Sequence, residues 1–136
     1  MKRIKIAFFF NCGPNEEFSF WLKYIDDIDK NYFDPIIILR NKNYDLKDSK
    51  TKTYILEEQT NSVKWKKPYK KLKKYENFPI NELRKAYSLK KSKVSFNEYI
   101  DKTLFAIEKI LLTDKIVSVI VMQPKNFNYT IPLLLL

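Results

Sequence analysis

The sequence predicts a parallel α/β domain of Rossmann type, and three features predict it. Short apolar runs at 6–10, 35–39 and 116–122 suit strands buried on both faces of a parallel sheet. Stripes of helical period, at 16–30 and 95–111, lie between those runs. The first strand, a turn, a helix of about 15 residues and a second strand form a βαβ unit, whose crossover is right-handed by rule.

Residues 3–10 alternate at first and then run without a break through Ile6, Ala7, Phe8, Phe9 and Phe10. Asn11-Cys12-Gly13-Pro14-Asn15 breaks the run, with Gly13-Pro14 as turn punctuation. From Glu16 to about Lys30, apolar residues recur at Phe18, Trp21, Leu22, Ile25 and Ile28. Glu16 and Glu17 lie in the first turn, where acidic side chains favour the helix dipole. Pro35-Ile36-Ile37-Ile38-Leu39 is the second strand, with proline only at its beginning. Lys52 to Glu57 reads as a third strand around Tyr54-Ile55-Leu56, and Asn81 to Lys90 as a helix bearing Leu83 and Tyr87.

Ser95-Phe96-Asn97-Glu98 has the form of a capping box and opens a helix with the stripe Ile100, Leu104, Ile107 and Leu111. Ile116 to Met122 follows as a strand. Tyr129 to Leu136 resembles two turns of a helix whose four leucines have no later strand to receive them. The expectation is therefore an incomplete Rossmann-like domain, the N-terminal portion of a larger one, spanning residues 1–136. A short tail packed over the core is the plainer alternative.

The chain is strongly basic, at +10, and the excess is local. Residues 59–93 hold twelve basic and two acidic side chains, which accounts for all of it and marks an insert-like segment on a neutral fold. Within it, Lys64, Trp65, Lys66, Lys67, Lys70, Lys71, Lys73 and Lys74 interleave with Tyr69, Leu72 and Tyr75. Such a run suits an anionic membrane surface. It also suits single-stranded nucleic acid, a weaker match because arginine is scarce and no nucleic-acid module is visible. A solvated lysine-rich loop is the bland reading.

Histidine is absent, which excludes His-based acid–base work, Ser–His and Cys–His nucleophile pairs and His-ligated metal. Cys12 is the single cysteine, so no internal disulfide forms. Without a base to pair with, it reads as an incidental thiol. Asp26, Asp27 and Asp29 read as an exposed helix face, so neither a metal nor a cofactor is expected. Lys5 interrupts the amino-terminal apolar run before it reaches the roughly 7–15 residues of a secretory signal. No run approaches the roughly 20 apolar residues of a membrane span. The expected location is the cytoplasm, peripherally at the inner face of the cell membrane if the basic run meets lipid.

Several segments together resemble the amino-terminal half of a GT-B glycosyltransferase. They are the strand Ile4–Phe10, the Asn11–Asn15 loop, the helix Glu16–Lys30, the strand Asp34–Leu39, the segment Asp114–Gln123 and the segment Tyr129–Leu136. The basic middle lies outside the resemblance. Many members carry two or more glycines in the first loop, whereas this chain has Gly13 alone.

The resemblance implies the acceptor side of a two-domain cleft in cell-surface polysaccharide or glycolipid synthesis. It implies a glycan or lipid-linked acceptor and a separate C-terminal donor-binding domain, without which the chain is inactive. Ligands of parallel sheets bind at the carboxyl ends of the strands. Asn11, Gly13 and Asn15 of the first loop, with Gln123 and Asn126 of the last, are thus the candidate substrate-binding rim. Catalytic residues are not assigned. The alternative is a non-catalytic basic α/β module that binds anionic membrane or nucleic acid through residues 64–93.

Overall fold

The computed structural model of the chain describes residues 2–10, 15–61 and 96–121. In chain order the elements are β1 (Ile4–Phe10), α1 (Asn15–Asp26), β2 (Phe33–Leu39), β3 (Lys52–Ile55), α2 (Leu56–Asn61), α3 (Phe96–Asp114) and β4 (Ser118–Val121). The strands form one sheet in the order β3-β2-β1-β4. All three pairings are parallel, which makes the arrangement α/β and Rossmann-like.

Burial follows from that order. β1 and β2 are the inner strands, and Ala7 to Phe10 and Pro35 to Leu39 are buried along their length. Successive side chains of a strand point to opposite faces, so a continuously apolar strand needs cover on both. α1 covers one face, where the Phe18 ring meets Phe10 edge-on at 5.1 Å. α3 covers the other, where Asp114 bonds to Lys5, which is of opposite parity to Phe10. The β1–β2 and β3–β4 crossovers run in opposite directions over opposite faces, so they share one hand, as the right-handed rule requires.

Local chemistry sets the element ends, and several differ from expectation. α1 ends at Asp26, four residues before Lys30. Asp26 Oδ1 accepts hydrogen bonds from Ser49 Oγ and Thr51 Oγ1, both at 2.8 Å, and Asp29 Oδ1 accepts the Asn31 N–H in a local turn. The Asp29 turn, in which a side chain takes a backbone N–H, competes with helical bonding, while the Asp26 bonds tie the helix end to the approach to β3. β3 stops at Ile55 because Leu56 opens α2, whose Glu57 N–H donates to the Arg40 carbonyl at 3.0 Å. β4 is shorter than the expected 116–122, and Ser118 and Ile120 are exposed on the α1 side of the sheet. β2 begins at Phe33, two residues before the expected start at Pro35, and Pro35 is tolerated inside it because it precedes the first β2–β3 partner pair, Ile36 with Lys52.

The end of α3 is a Schellman motif. The Ile116 N–H donates to the Leu111 carbonyl at 2.9 Å and the Lys115 N–H to Leu112 at 3.3 Å. Lys115 sits in the left-handed region, φ 55°, that this motif demands. Leu104, Ala106, Ile107 and Ile110 are buried on the sheet-facing side of α3. No helix among the described residues is long and apolar enough to cross a membrane. The helix expected at 81–90, Ser95 of the capping box and the segment Tyr129–Leu136 lie outside the described residues.

Candidate functional site

The strand order contains one reversal. The chain steps outward from β1 to β2 to β3, then crosses back to place β4 on the far side of β1. In an open parallel sheet, ligands lie beyond the carboxyl ends of the two strands flanking such a switch point. Phe9 pairs with Val121, so β1 and β4 end side by side, about 4.8 Å apart. The chain before residue 11 and the chain before residue 122 therefore leave the sheet as neighbours.

Of the predicted rim, Asn11, Gly13, Gln123 and Asn126 lie outside the described residues. Asn15 is the first residue of α1, and its side chain is also outside them. The helix start carries its own counter-charge in Glu16 and Glu17, which opposes an anion at its positive end.

Below the rim the floor is rigid and apolar. Phe10 is 3% exposed, and Phe18 stands between it and Tyr44, whose ring centroid is 4.8 Å away. The Arg40 N–H donates to the Phe10 carbonyl at 3.0 Å, which ties the end of β1 to the chain after β2. Two ion pairs finish this edge: Arg40 Nε to Glu57 at 3.9 Å and Lys42 Nζ to Glu58 at 2.5 Å. The Glu58 hydrogen bond and charge hold the Lys42 ammonium above its ordinary pKa.

Lys64, Trp65, Lys66, Lys67, Lys70, Lys71, Lys73 and Lys74 lie outside the described residues. The elements that bracket them are α2 and α3. α2 follows the carboxyl end of β3. α3 ends at the amino end of the sheet and at 19 residues is about 28 Å long, enough to span a seven-residue strand of about 23 Å. α2 and the start of α3 thus both lie toward the carboxyl side, the side of the switch point.

A second polar cluster, at the amino end, escaped the sequence reading. Asp114, 5% exposed, accepts the Tyr54 hydroxyl at 2.6 Å, Lys52 Nζ at 2.8 Å and Lys5 Nζ at 3.4 Å. Burial pushes the Asp114 carboxyl up, but the hydrogen bonds and charge from Lys52, Tyr54 and Lys5 outweigh it and hold the group below its ordinary value. Burial and the neighbouring Asp114 carboxylate push the Tyr54 phenol up, against the pull of Lys52. Hydrogen bonds to Asp114 and Tyr54 raise the Lys52 ammonium.

A carboxylate at a helix C-terminus is opposed by the helix dipole, and two ammonium groups and a phenol offset that here. The cluster binds the last turn of α3 to β1 and β3. Its place opposite the switch point marks it as architecture. One signal pointed to it: lysines at positions 5 and 52, one inside a predicted buried strand and one opening another, call for a buried acid. A cavity of about 670 Å³ lies beside the cluster, lined in part by Lys2, Arg3, Ile4, Lys115 and Val117.

Among the described residues no group of three or more His, Cys, Asp or Glu side chains is placed to hold a metal ion. Comparison with protein-family models, with curated proteins and with solved structures finds no match. The class the fold defines is a Rossmann-like parallel α/β domain.

Proposed function

We propose that this chain is the acceptor-side domain of a glycosyltransferase that builds cell-surface polysaccharide or glycolipid. The observation that carries the reading is the pairing of β1 with β4, which sets a switch point at the carboxyl edge of a parallel sheet. The succession of elements, with β1, α1 and β2 as a βαβ unit and α3 leading into β4, is the order on which the resemblance to the GT-B amino-terminal half rests.

On this reading the crevice takes the sugar end of a glycan or lipid-linked acceptor. Asn11, Gly13, Asn15, Gln123 and Asn126 are the sequence's candidates for it, and all five are uncharged. Uncharged donors and acceptors suit hydroxyls, and Glu16 and Glu17 disfavour a phosphate at the start of α1. Sugar-nucleotide phosphates then belong to a second domain, and the chain by itself transfers nothing.

Titration calorimetry tests the assignment. The chain is expected to bind oligosaccharide acceptors of cell-surface type and to give no heat with sugar nucleotides. Saturable binding of a sugar nucleotide with no response to any oligosaccharide would place the donor here and overturn the reading.

A further inference from the structure

We propose that the amino end of the sheet is a docking face for a bilayer containing anionic phospholipid. This surface is distinct from the basic run at 64–74, and the proposal stands whether or not the domain serves a glycosyltransferase.

Three residues with exposed apolar side chains sit in a row of neighbouring backbone segments across that end. The Ile4 N–H donates to the Tyr32 carbonyl at 2.8 Å, and the Val117 N–H donates to the Lys5 carbonyl at 3.1 Å, so the three segments are laced side by side. Tyr32 is 52%, Ile4 48% and Val117 67% exposed. Ile4 stands on the α1 side of the sheet and Val117, beside Lys5, on the α3 side, so this end carries exposed apolar groups on both sides of the sheet.

Cations flank the row. Lys2, Arg3, Lys30 and Lys115 are exposed, and none has an ion-pair partner among the described residues. Of the nearby acids, Asp114 is held by Lys5, Lys52 and Tyr54 and Asp34 pairs with Lys5 at 3.8 Å, while exposed Asp29 accepts the neutral Asn31 N–H. The cavity of about 670 Å³ has Ile4 and Val117 in its lining together with the cations Lys2, Arg3, Lys5 and Lys115, which outnumber the acids Asp34 and Asp114 there.

Apolar side chains that enter the acyl boundary beneath a ring of lysines are the pattern of a peripheral membrane contact. A tyrosine in the row suits the headgroup level, where an amphipathic ring has one wet end. In this pose the switch point stands about 23 Å, one strand length, from the lipid. An acceptor would then be met by its extended sugar portion.

The test uses the full chain with vesicles of phosphatidylcholine, alone or mixed with phosphatidylglycerol. Pelleting is expected only with the mixed vesicles. Lys2→Glu, Arg3→Glu and Lys115→Glu together are expected to weaken it on the order of 100-fold, about fivefold for each basic residue near the bilayer. A spin label at Val117→Cys in a Cys12→Ser background is expected to enter the lipid, while one at Glu16→Cys stays in water. The proposal is overturned if mixed vesicles pellet no protein, or if the Val117 label stays in water while they do. It is equally overturned if Lys70, Lys71, Lys73 and Lys74→Glu abolishes pelleting and the amino-end triple variant leaves it unchanged. Far-ultraviolet circular dichroism of each variant checks that these exposed substitutions leave the fold intact.

Discussion

Replacing Asp114 by Asn tests the packing of α3 on the sheet through one atom. The change keeps the shape and removes the charge that three donors share at 2.6, 2.8 and 3.4 Å. A hydrogen bond to a charged group contributes about 1.5–3 kcal/mol net, and breaking a fully buried pair costs about 3–5 kcal/mol. Here the Lys5 and Lys52 side chains are 36% and 54% exposed and regain water when the carboxylate goes, which discounts their share. The Tyr54 bond and part of the Lys52 bond remain, so the expected loss is about 2 kcal/mol.

Equilibrium urea unfolding followed by far-ultraviolet circular dichroism measures it, and an unchanged m-value identifies the effect as one on stability. The pH dependence carries a sign. Asp114 titrates below its ordinary value when folded, so its stabilisation is full above about pH 4 and is lost as pH falls through the lower folded value. The gap between the native chain and Asp114→Asn should therefore close in acid. Lys52 and Tyr54 titrate above their ordinary values, so their part is present below about pH 10 and lost at higher pH. A loss below about 0.5 kcal/mol at neutral pH, or a gap that does not change between about pH 7 and pH 3, refutes the reasoning.

Other substitutions probe the element ends and both faces. Lys115→Gly is expected to stabilise the chain by about 0.5–1 kcal/mol, read as a higher urea midpoint, because Lys115 holds φ 55° at a cost glycine does not bear. Asp26→Ala removes the shared acceptor of Ser49 and Thr51. It should cost about 1–2 kcal/mol and speed hydrogen exchange in β3. Oligosaccharide binding without sugar-nucleotide binding is the calorimetric expectation for the crevice. Phosphatidylglycerol-dependent pelleting that falls with Lys2, Arg3 and Lys115 is the expectation for the amino end.

The parts of the fold legible in the sequence are those that depend on local pattern. Ile6 to Phe10 and Ile36 to Leu39 are continuously apolar because both strands are inner strands, and α1 shows its stripe because one side of it faces the sheet. The boundaries were set by distant partners and were harder to read. The end of α1 at Asp26 is tied to Ser49 and Thr51, 23 and 25 residues on. The Asp114 cluster joins residues 60, 62 and 109 positions apart, so no window of sequence contains it. The switch point was half legible: the order of elements predicted a carboxyl-edge site, while the adjacency of β1 and β4 is a property of the sheet. Ile120 is exposed because β4 has β1 as its only strand neighbour among the described residues, which its apolar composition does not reveal.

The most direct test of the central claim is a backbone amide NMR map of the chain titrated with oligosaccharide acceptors. Shifts are expected at Phe10, Arg40 and Val121, where the carboxyl ends of the strands meet, with Lys5 and Lys52 at the opposite end unmoved. Shifts centred on Lys5, Lys52 and Val117, or none at saturating acceptor, would contradict it.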